Sequence, residues 1–374
     1  MSDAHAGSPE DPGTAADAAV EPMRPMRPMR PTRRSPTALW WWLRLSLSVV
    51  ITATIIVLVA RRVDAVPDDL RVRAWAVPAY LGTLVLYFFA RAGRWWFLVR
   101  PLGPLRFRSL LTVACAGFLW ILLLPWRLGE FVRPLLLARA SPIPFSQALG
   151  TVALERVVDG LLVCCMFFVA TAALPAAPAL AGLYAACLGV AALFGGALLV
   201  LLALAIWPGV AGAALHATIG RVAPGLATRL ATLASGVSEG LAALPSVRPL
   251  LWFVLATLVY WAANALGMWV LARGCDLSLG LAEVVAVLAV LNLTLLIPGP
   301  PAHVGTFQLG VLTGLALFLP DELVAARGAV FAFYLYVCQL GMIVALGVAA
   351  SLHLRWGWRE TLAHLRGDRM APGT

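Results

Sequence analysis

The sequence has no lysine, so its 28 Lys-or-Arg positions are all arginine, and it carries little charge of either sign. Charged residues make up 12% of the 374 positions and hydrophobic residues 61%, whereas soluble domains are about 25% charged. This shortage of charge excludes a soluble fold, whose surface needs far more polar residues. Because a bilayer solvates apolar helices, the composition predicts an all-α integral membrane protein. The lack of lysine, with abundant Ala, Gly and Pro, indicates a GC-rich bacterial genome.

Metal-binding and nucleotide-binding patterns are also missing. The six cysteines form no Cys-x-x-Cys pair, the five histidines show no His-Glu-x-x-His spacing, and no Gly-x-x-x-x-Gly-Lys-Ser/Thr loop occurs. We therefore predict no metal and no cofactor. The formal charge of +10 does not indicate a nucleic-acid partner, because most arginines lie at the ends of apolar runs, where they set topology and meet anionic headgroups.

The chain divides into a polar tail, a membrane domain and a short basic end. Residues 1–36 are proline-rich and include a Met-Arg-Pro repeat, which predicts a disordered cytoplasmic tail. Residues 37–354 form the polytopic membrane domain, and residues 355–374 form a basic cytoplasmic tail. Arginines in both tails and in the loop at 100–108 predict that these parts face the cytoplasm of a bacterial plasma membrane.

The apolar runs predict about eight transmembrane segments, two of which are broken hairpins. The less apolar stretch between Pro208 and Arg248 is expected to be helical and partly interfacial. The apolar runs cover residues 39–60, 74–99, 109–125, 147–172, 181–207, 249–272, 281–297, 303–319 and 327–352.

The two broken segments resemble each other in sequence. Residues 125–131 read Pro-Trp-Arg-Leu-Gly-Glu-Phe and residues 301–307 read Pro-Ala-His-Val-Gly-Thr-Phe, and each follows an apolar run that ends in proline. If both are re-entrant hairpins, residues 109–140 enter from the cytoplasm and residues 281–319 from outside. They would then form an inverted repeat with a polar cavity between the hairpin tips, as in many transporters. The alternative is two ordinary proline-kinked spans.

Six charged residues fall at membrane depth in the first half of the chain. An ionised residue at the bilayer centre costs roughly 3 kcal/mol, so six facing lipid would cost about 18 kcal/mol, more than a typical folding free energy of about 5–15 kcal/mol. They must therefore face protein or water. They either form ion pairs that fix helix packing, or they build a site where arginines hold phosphate and carboxylates orient them or bind a cation. The six residues are Arg127, Glu130, Arg133, Glu155, Arg156 and Asp159.

The second hairpin offers neutral polar groups. Pro298 and Gly299 break the helix and leave backbone groups unpaired, and a helix start near His303 could receive an anion. His303 could equally serve as a structural hydrogen-bonding residue. The other candidates on this hairpin are Asn292, Thr306 and Gln308.

These motifs resemble the lysylphosphatidylglycerol synthase transmembrane (flippase-like) family over roughly residues 40–352. The resemblance rests on Arg127-x-Gly129-Glu130-x-x-Arg133, on Thr151-Val152-x-x-Glu155-Arg156-x-x-Asp159, and on Pro298-Gly299 followed by Gly305. The family usually shows Pro-Gly-Gly-x-Gly-x-x-Glu at the last motif. Here prolines replace the third residue, and Gln308 stands where the acid is expected.

The resemblance implies a membrane protein that handles lipids. In two-part members this region is linked to translocation of aminoacylated phosphatidylglycerol, and a separate cytosolic domain makes the aminoacyl transfer. About 20 residues follow the last apolar run here, so synthase activity is not implied.

The expected function is a lipid translocase for an anionic phospholipid or a polyprenyl-phosphate lipid. A separate lipid-modifying enzyme is an expected partner. The alternatives are a membrane-embedded transferase that uses a lipid phosphate, and a non-catalytic envelope scaffold.

Overall fold

The computed structural model describes residues 70–172, 178–207, 209–242, 247–297 and 300–353, without the side chains of 125–127 and 178–180. Throughout these ranges the regular structure is helical, and they contain no β-strand. This confirms the predicted all-α membrane fold. The predicted span at 39–60 and both predicted tails lie outside the described residues, so the predicted count of about eight segments stays a prediction.

The helices overlap the predicted apolar runs, and the stretch after Trp207 is helical as expected. Four of them, α1, α5, α8 and α11, are long and apolar enough to cross a membrane. In chain order the helices are α1 (Ala76–Val99), α2 (Phe107–Leu123), α3 (Val132–Ala140), α4 (Phe145–Thr171), α5 (Pro178–Ile206), α6 (Val210–Thr218), α7 (Pro224–Ala242), α8 (Val247–Gly274), α9 (Leu281–Thr294), α10 (Thr306–Leu315) and α11 (Asp321–His353, with a π-helical turn at Val324–Gly328).

The first broken segment folds into a helical hairpin. Leu124 is extended (φ −91°, ψ 132°) because the following proline disfavours the helical conformation, and this ends α2. The 3-10 turn Pro125–Phe131 then leads into α3, which packs back against α2. A Cβ on Gly129 would lie 2.3 Å from the Cα of Ile121, so only glycine permits this approach of the turn to α2.

The second broken segment forms the corresponding hairpin from α9 and α10. These helices are antiparallel, because a Cβ on Gly310 would lie 3.0 Å from the Cα of Leu291 and one on Gly314 would lie 2.9 Å from that of Val287.

The tip of this second hairpin has an unusual backbone. Ala302 and His303 have φ values of 59° and 55°, and Gly305 has a φ of 82°. This geometry delays the start of α10 to Thr306, whereas the sequence predicted a helix start near His303. The glycines of the two matched motifs therefore differ in purpose, since Gly129 allows a close approach and Gly305 a left-handed conformation.

Helices of the first half, α1–α4, pack against helices of the second half, α8–α11. α4, which follows the first hairpin, packs against α9 of the second, and α11, which follows the second, packs against α2 of the first. α1 and α8, which precede the hairpins, lie antiparallel, since Tyr87 stacks on Tyr260 and Phe97 on Trp252. α1 and α8 hold equivalent places in the two halves and run in opposite directions, the arrangement that an inverted repeat requires. The hairpins accordingly point toward each other, and the Pro301–His303 turn packs against α2.

We expect Gly129→Ala to lower the Tm of the purified protein in detergent. The added methyl group would meet the α2 backbone, and overpacking of this kind costs about 1–3 kcal/mol. Gly341→Ala is the matched control, because no atom lies within 4 Å of its added Cβ, and alanine favours a helix. Equal Tm values for Gly129→Ala and the parent protein would contradict the close approach of the turn to α2.

Candidate functional site

A single buried carboxylate stands at the centre of the charged residues. Glu155 on α4 is 0% exposed and accepts hydrogen bonds from three arginines. The distances to its oxygens are 2.7 Å from Arg94 Nη2 on α1, 3.2 Å from Arg133 Nη1 on α3 and 2.6 Å from Arg156 Nη2 on α4 itself. The carboxylate thereby joins three helices, because charge-assisted bonds of this kind are strong in a medium of low dielectric.

A second carboxylate shares two of these arginines. Asp159 lies one helical turn after Glu155, and its Oδ2 is 2.7 Å from Arg94 Nη2 and 3.2 Å from Arg156 Nη2. Trp261 on α8 donates its indole N–H to Asp159 Oδ1 over 3.3 Å. These contacts connect α8 of the second half to the charged cluster of the first half.

Aromatic packing holds the side chain of Arg133, the third arginine that is bonded to Glu155. The guanidinium carbon of Arg133 lies 4.3 Å from the ring centroid of Trp95, which favours a cation–π interaction. The Trp95 indole donates to Thr151 Oγ1 over 3.1 Å, which holds the ring in place. Gly117 on α2 leaves room for the Arg133 side chain, since a Cβ there would lie 2.3 Å from Arg133 Cγ.

A cavity of about 340 Å³ lies where the two hairpin tips meet. Its walls come from both halves: α2 and Glu130 of the first hairpin, and the end of α9 and the Ala302–His303 turn of the second. The cavity combines a charged wall with aromatic and neutral polar side chains. The charged lining residues are Arg91, Glu130, Arg156 and Asp159, and the other polar or aromatic ones are Tyr87, Phe118, Phe194, Tyr260, Trp261, Asn292, His303, Phe307, Tyr336 and Gln339.

Three polar atoms of cavity-lining residues are buried without a hydrogen-bond partner among the described residues. They are Oε2 of Glu130 and the Nε atoms of Arg91 and Arg156. The other oxygen of Glu130 lies 3.6 Å from Arg156 Nη1, an ion pair that is too long for a hydrogen bond. Arg91 donates to the Tyr87 hydroxyl over 3.3 Å and lies 4.2 Å above the ring of Phe118. Such unsatisfied groups are costly unless a ligand or water pairs with them.

The described charges of this cluster do not balance. The cluster contains four arginines and three carboxylates, which leaves one positive charge. They are Arg91, Arg94, Arg133 and Arg156, with Glu130, Glu155 and Asp159. Within the part of the chain that the structure describes, Arg91 is the cluster arginine that no carboxylate contacts. The arrangement can therefore attract an anion into the cavity.

A family model described as "Lysylphosphatidylglycerol synthase TM region" matches residues 41–347. The chain belongs to this family. All cavity-lining residues, from Tyr87 to Ile343, fall within the matched range. The chain matched no curated protein and no solved structure. Membership of the lysylphosphatidylglycerol synthase TM family identifies this chain as a multi-pass membrane protein of a lipid-related family.

The structure brings together five of the site residues predicted for this member of the family. Glu130, Arg156, Asp159, Asn292 and His303 all line the cavity. Asn292 also donates its side-chain amide to the Leu288 carbonyl over 2.8 Å.

Other predicted residues lie outside the cavity lining. Arg133 and Glu155 are fully buried behind the charged wall, where they contact each other. Gln308 does not face the cavity; its Oε1 accepts the backbone N–H of Gly305 over 2.9 Å and caps α10. Gly305, also predicted, lies outside the cavity lining and directly precedes α10. The Arg127 side chain, Pro298 and Gly299 lie outside the described parts of the chain.

Sequence reasoning did not assign Arg91 and Arg94 to the site. The only available signal was that these two arginines lie three residues apart inside an apolar run. Charged groups at that depth need partners of opposite charge, as the acids of α4 do. Tyr87, Tyr260 and Trp261 carried no signal, because aromatic residues are common in membrane helices. Gln339 also lines the cavity, and its amide donates to the Tyr80 hydroxyl over 3.1 Å.

We expect Glu155→Gln to destabilise the protein far more than Glu130→Gln. Loss of the central charge leaves three buried arginines under-compensated, and breaking a buried pair costs about 3–5 kcal/mol. Glu130 makes one long ion pair, so its replacement should change the Tm little. Thermal unfolding in detergent with intrinsic tryptophan fluorescence would measure both variants. Similar Tm values for the two would contradict the central structural role of Glu155.

Proposed function

We propose that this protein is a lipid translocase that admits a phosphate-containing lipid headgroup to the cavity between its two hairpins. The observation that carries the proposal is the cavity itself, which lies where two oppositely directed hairpin tips meet and borders a charged cluster with one excess positive charge. A space of about 340 Å³ fits a small ligand or headgroup. The acyl chains would remain in the bilayer while the polar group crosses.

The inverted repeat supplies a means of alternating access. Each hairpin tip separates the cavity from one side of the membrane, so a small rocking of one half against the other would open the cavity to one side at a time. The tip of the second hairpin suits such movement, because Ala302 and His303 hold a left-handed backbone that costs roughly 1–2 kcal/mol per residue. A charged headgroup that enters the cavity would exchange its water shell for arginine and carboxylate contacts, which lowers the barrier to crossing.

Charge at the two ends of the molecule supports an orientation. The end where α1 stops and α2 starts carries the exposed arginines Arg100, Arg106, Arg108 and Arg248. At the opposite end, Arg71, Arg73, Arg273 and Arg327 are accompanied by four acids, Asp276, Glu283, Asp321 and Glu322. We assign the end with the excess of arginine over acidic residues to the cytoplasm of a bacterial plasma membrane. The first hairpin then enters from the cytoplasm and the second from outside.

Cysteine labelling tests this orientation. We expect Glu322→Cys to react with a membrane-impermeant maleimide in intact spheroplasts, and Arg106→Cys to react only after permeabilisation, because both positions are exposed and lie at opposite ends. The parent protein, with its own six cysteines, gives the background. Labelling of both variants from one side, or in the reverse order, would overturn the assignment.

Lipid movement in proteoliposomes tests the translocase proposal. Wild-type protein should accelerate dithionite quenching of inner-leaflet fluorescent phospholipid, and Glu130→Gln should slow it by about tenfold, since a hydrogen bond to a charged group is worth about 1.5–3 kcal/mol. Glu239→Gln is the matched control, because Glu239 lies on α7, outside the cavity lining, where its described hydrogen bond is the one accepted from Gln147.

Two results would contradict the proposal. One is wild-type flip rates equal to those of protein-free liposomes for several phospholipids and for a polyprenyl phosphate. The other is formation of a modified lipid by the purified protein without any flipping, which would favour the transferase alternative.

A further inference from the structure

The cavity is lined by unsatisfied atoms of both charges, Oε2 of Glu130 and the Nε atoms of Arg91 and Arg156, and these atoms indicate which ligand groups would bind there. We infer that the cavity selects headgroups that combine a phosphate with a hydrogen-bond donor, a hydroxyl or an ammonium, with Arg91 contacting the phosphate and Glu130 the donor. This inference rests on the proposed function, because it names the class of headgroup that the translocase would accept.

The choice of Arg91 follows from comparing the arginines of the cluster. Arg94 and Arg133 are fully buried and bonded to Glu155. Arg156 lines the cavity but lies within ion-pair distance of three carboxylates, so little of its charge remains uncompensated.

Arg91 lines the same cavity without an acidic partner among the described residues. Its Nη1 donates to the Tyr87 hydroxyl over 3.3 Å, while its Nε lacks any acceptor. The ring of Phe118 covers one face of the guanidinium at 4.2 Å, so a ligand approaches its edge, where the N–H groups match phosphate oxygens.

The choice of Glu130 follows from its unused oxygen. Oε2 is buried and accepts no hydrogen bond from the described residues, while Oε1 lies 3.6 Å from Arg156. An ionised carboxylate can only accept hydrogen bonds. A headgroup with a hydroxyl or an ammonium would satisfy this oxygen, whereas one without any donor would leave it desolvated and unpaired.

The remaining cavity walls fit a headgroup of low net charge. Asn292, His303 and Gln339 contribute neutral polar groups, and the cluster of described charges has an excess of one positive charge. A phosphodiester carries one negative charge, so it neutralises the cluster. A hydrogen-bond donor on the headgroup then determines which of two equally charged lipids binds more tightly.

Two charge-matched lipid pairs test the inference. Acyl-labelled phosphatidylglycerol and phosphatidylmethanol both carry one negative charge, but only the former has hydroxyl donors. Phosphatidylethanolamine and phosphatidylcholine are both zwitterionic, but only the former has N–H donors. Native mass spectrometry of the full chain measures binding of each lipid, and the dithionite assay measures its movement.

In wild type we expect the donor-bearing lipid of each pair to bind about tenfold more tightly, as a charge-assisted hydrogen bond implies. Glu130→Leu should reduce this preference to less than about twofold. Arg91→Gln should weaken binding of all four lipids by a similar factor, about tenfold. Arg91→Lys should recover part of the loss, because it retains the charge. Arg73→Gln, at an exposed pair with Asp276, should change nothing.

The outcomes separate this inference from the proposed function. Equal wild-type binding within both lipid pairs, or unchanged binding in Arg91→Gln at an unchanged Tm, would overturn the inference even if lipids still flip. Selective binding of the donor-bearing lipids without movement of any lipid would support the inference and contradict translocation. Phosphatidylglycerol selection without phosphatidylethanolamine selection would overturn the inclusion of ammonium donors.

Discussion

The ion pairs around Glu155 are the interaction on which the other features of this structure depend. One buried carboxylate binds guanidinium groups from α1, α3 and α4, so it joins the helix before the first hairpin, the second arm of that hairpin and the helix after it. Because these arginines are paired with Glu155 or Asp159, most of their charge is compensated within the protein. Among the described residues, Arg91 is left without a carboxylate partner and Glu130 with one oxygen that accepts no hydrogen bond.

The backbone is built from two similar halves, but the residues of the charged cluster all come from the first half. The matched motifs begin at residues 125 and 301, an offset of 176 positions. At this offset the positions equivalent to Glu155, Asp159 and Arg133 are Phe331, Leu335 and Leu309. The second half therefore reproduces the helix packing without the charges, and it contributes aromatic and neutral polar groups to the cavity. An asymmetric cavity can hold a headgroup against one wall while the opposite hairpin remains free to move.

Much of the organisation was predictable from sequence, because the bilayer imposes strict rules on composition. The length and apolarity of the runs predict α1, α5, α8 and α11 as membrane helices, since every backbone group at that depth must be paired within the segment. Proline after an apolar run predicts both hairpin breaks. The cost of charge in a bilayer predicts that Glu155 and Asp159 must be paired. The sequence also predicts five residues that line one cavity: Glu130, Arg156, Asp159, Asn292 and His303.

The amino-acid sequence by itself thus determined the membrane fold, the two broken segments and the need to compensate the acids of α4. Only the tertiary structure decided which arginine compensates which acid, because Arg94 and Glu155 are 61 positions apart and local spacing carries no information about such a contact. The same holds for the separation of the predicted residues into a buried cluster, with Arg133 and Glu155, and a cavity wall, with Glu130 and Asp159. Whether a side chain finds a partner depends on distances between packed helices. For this reason only the tertiary structure shows that Arg91 lines the cavity without a carboxylate partner among the described residues.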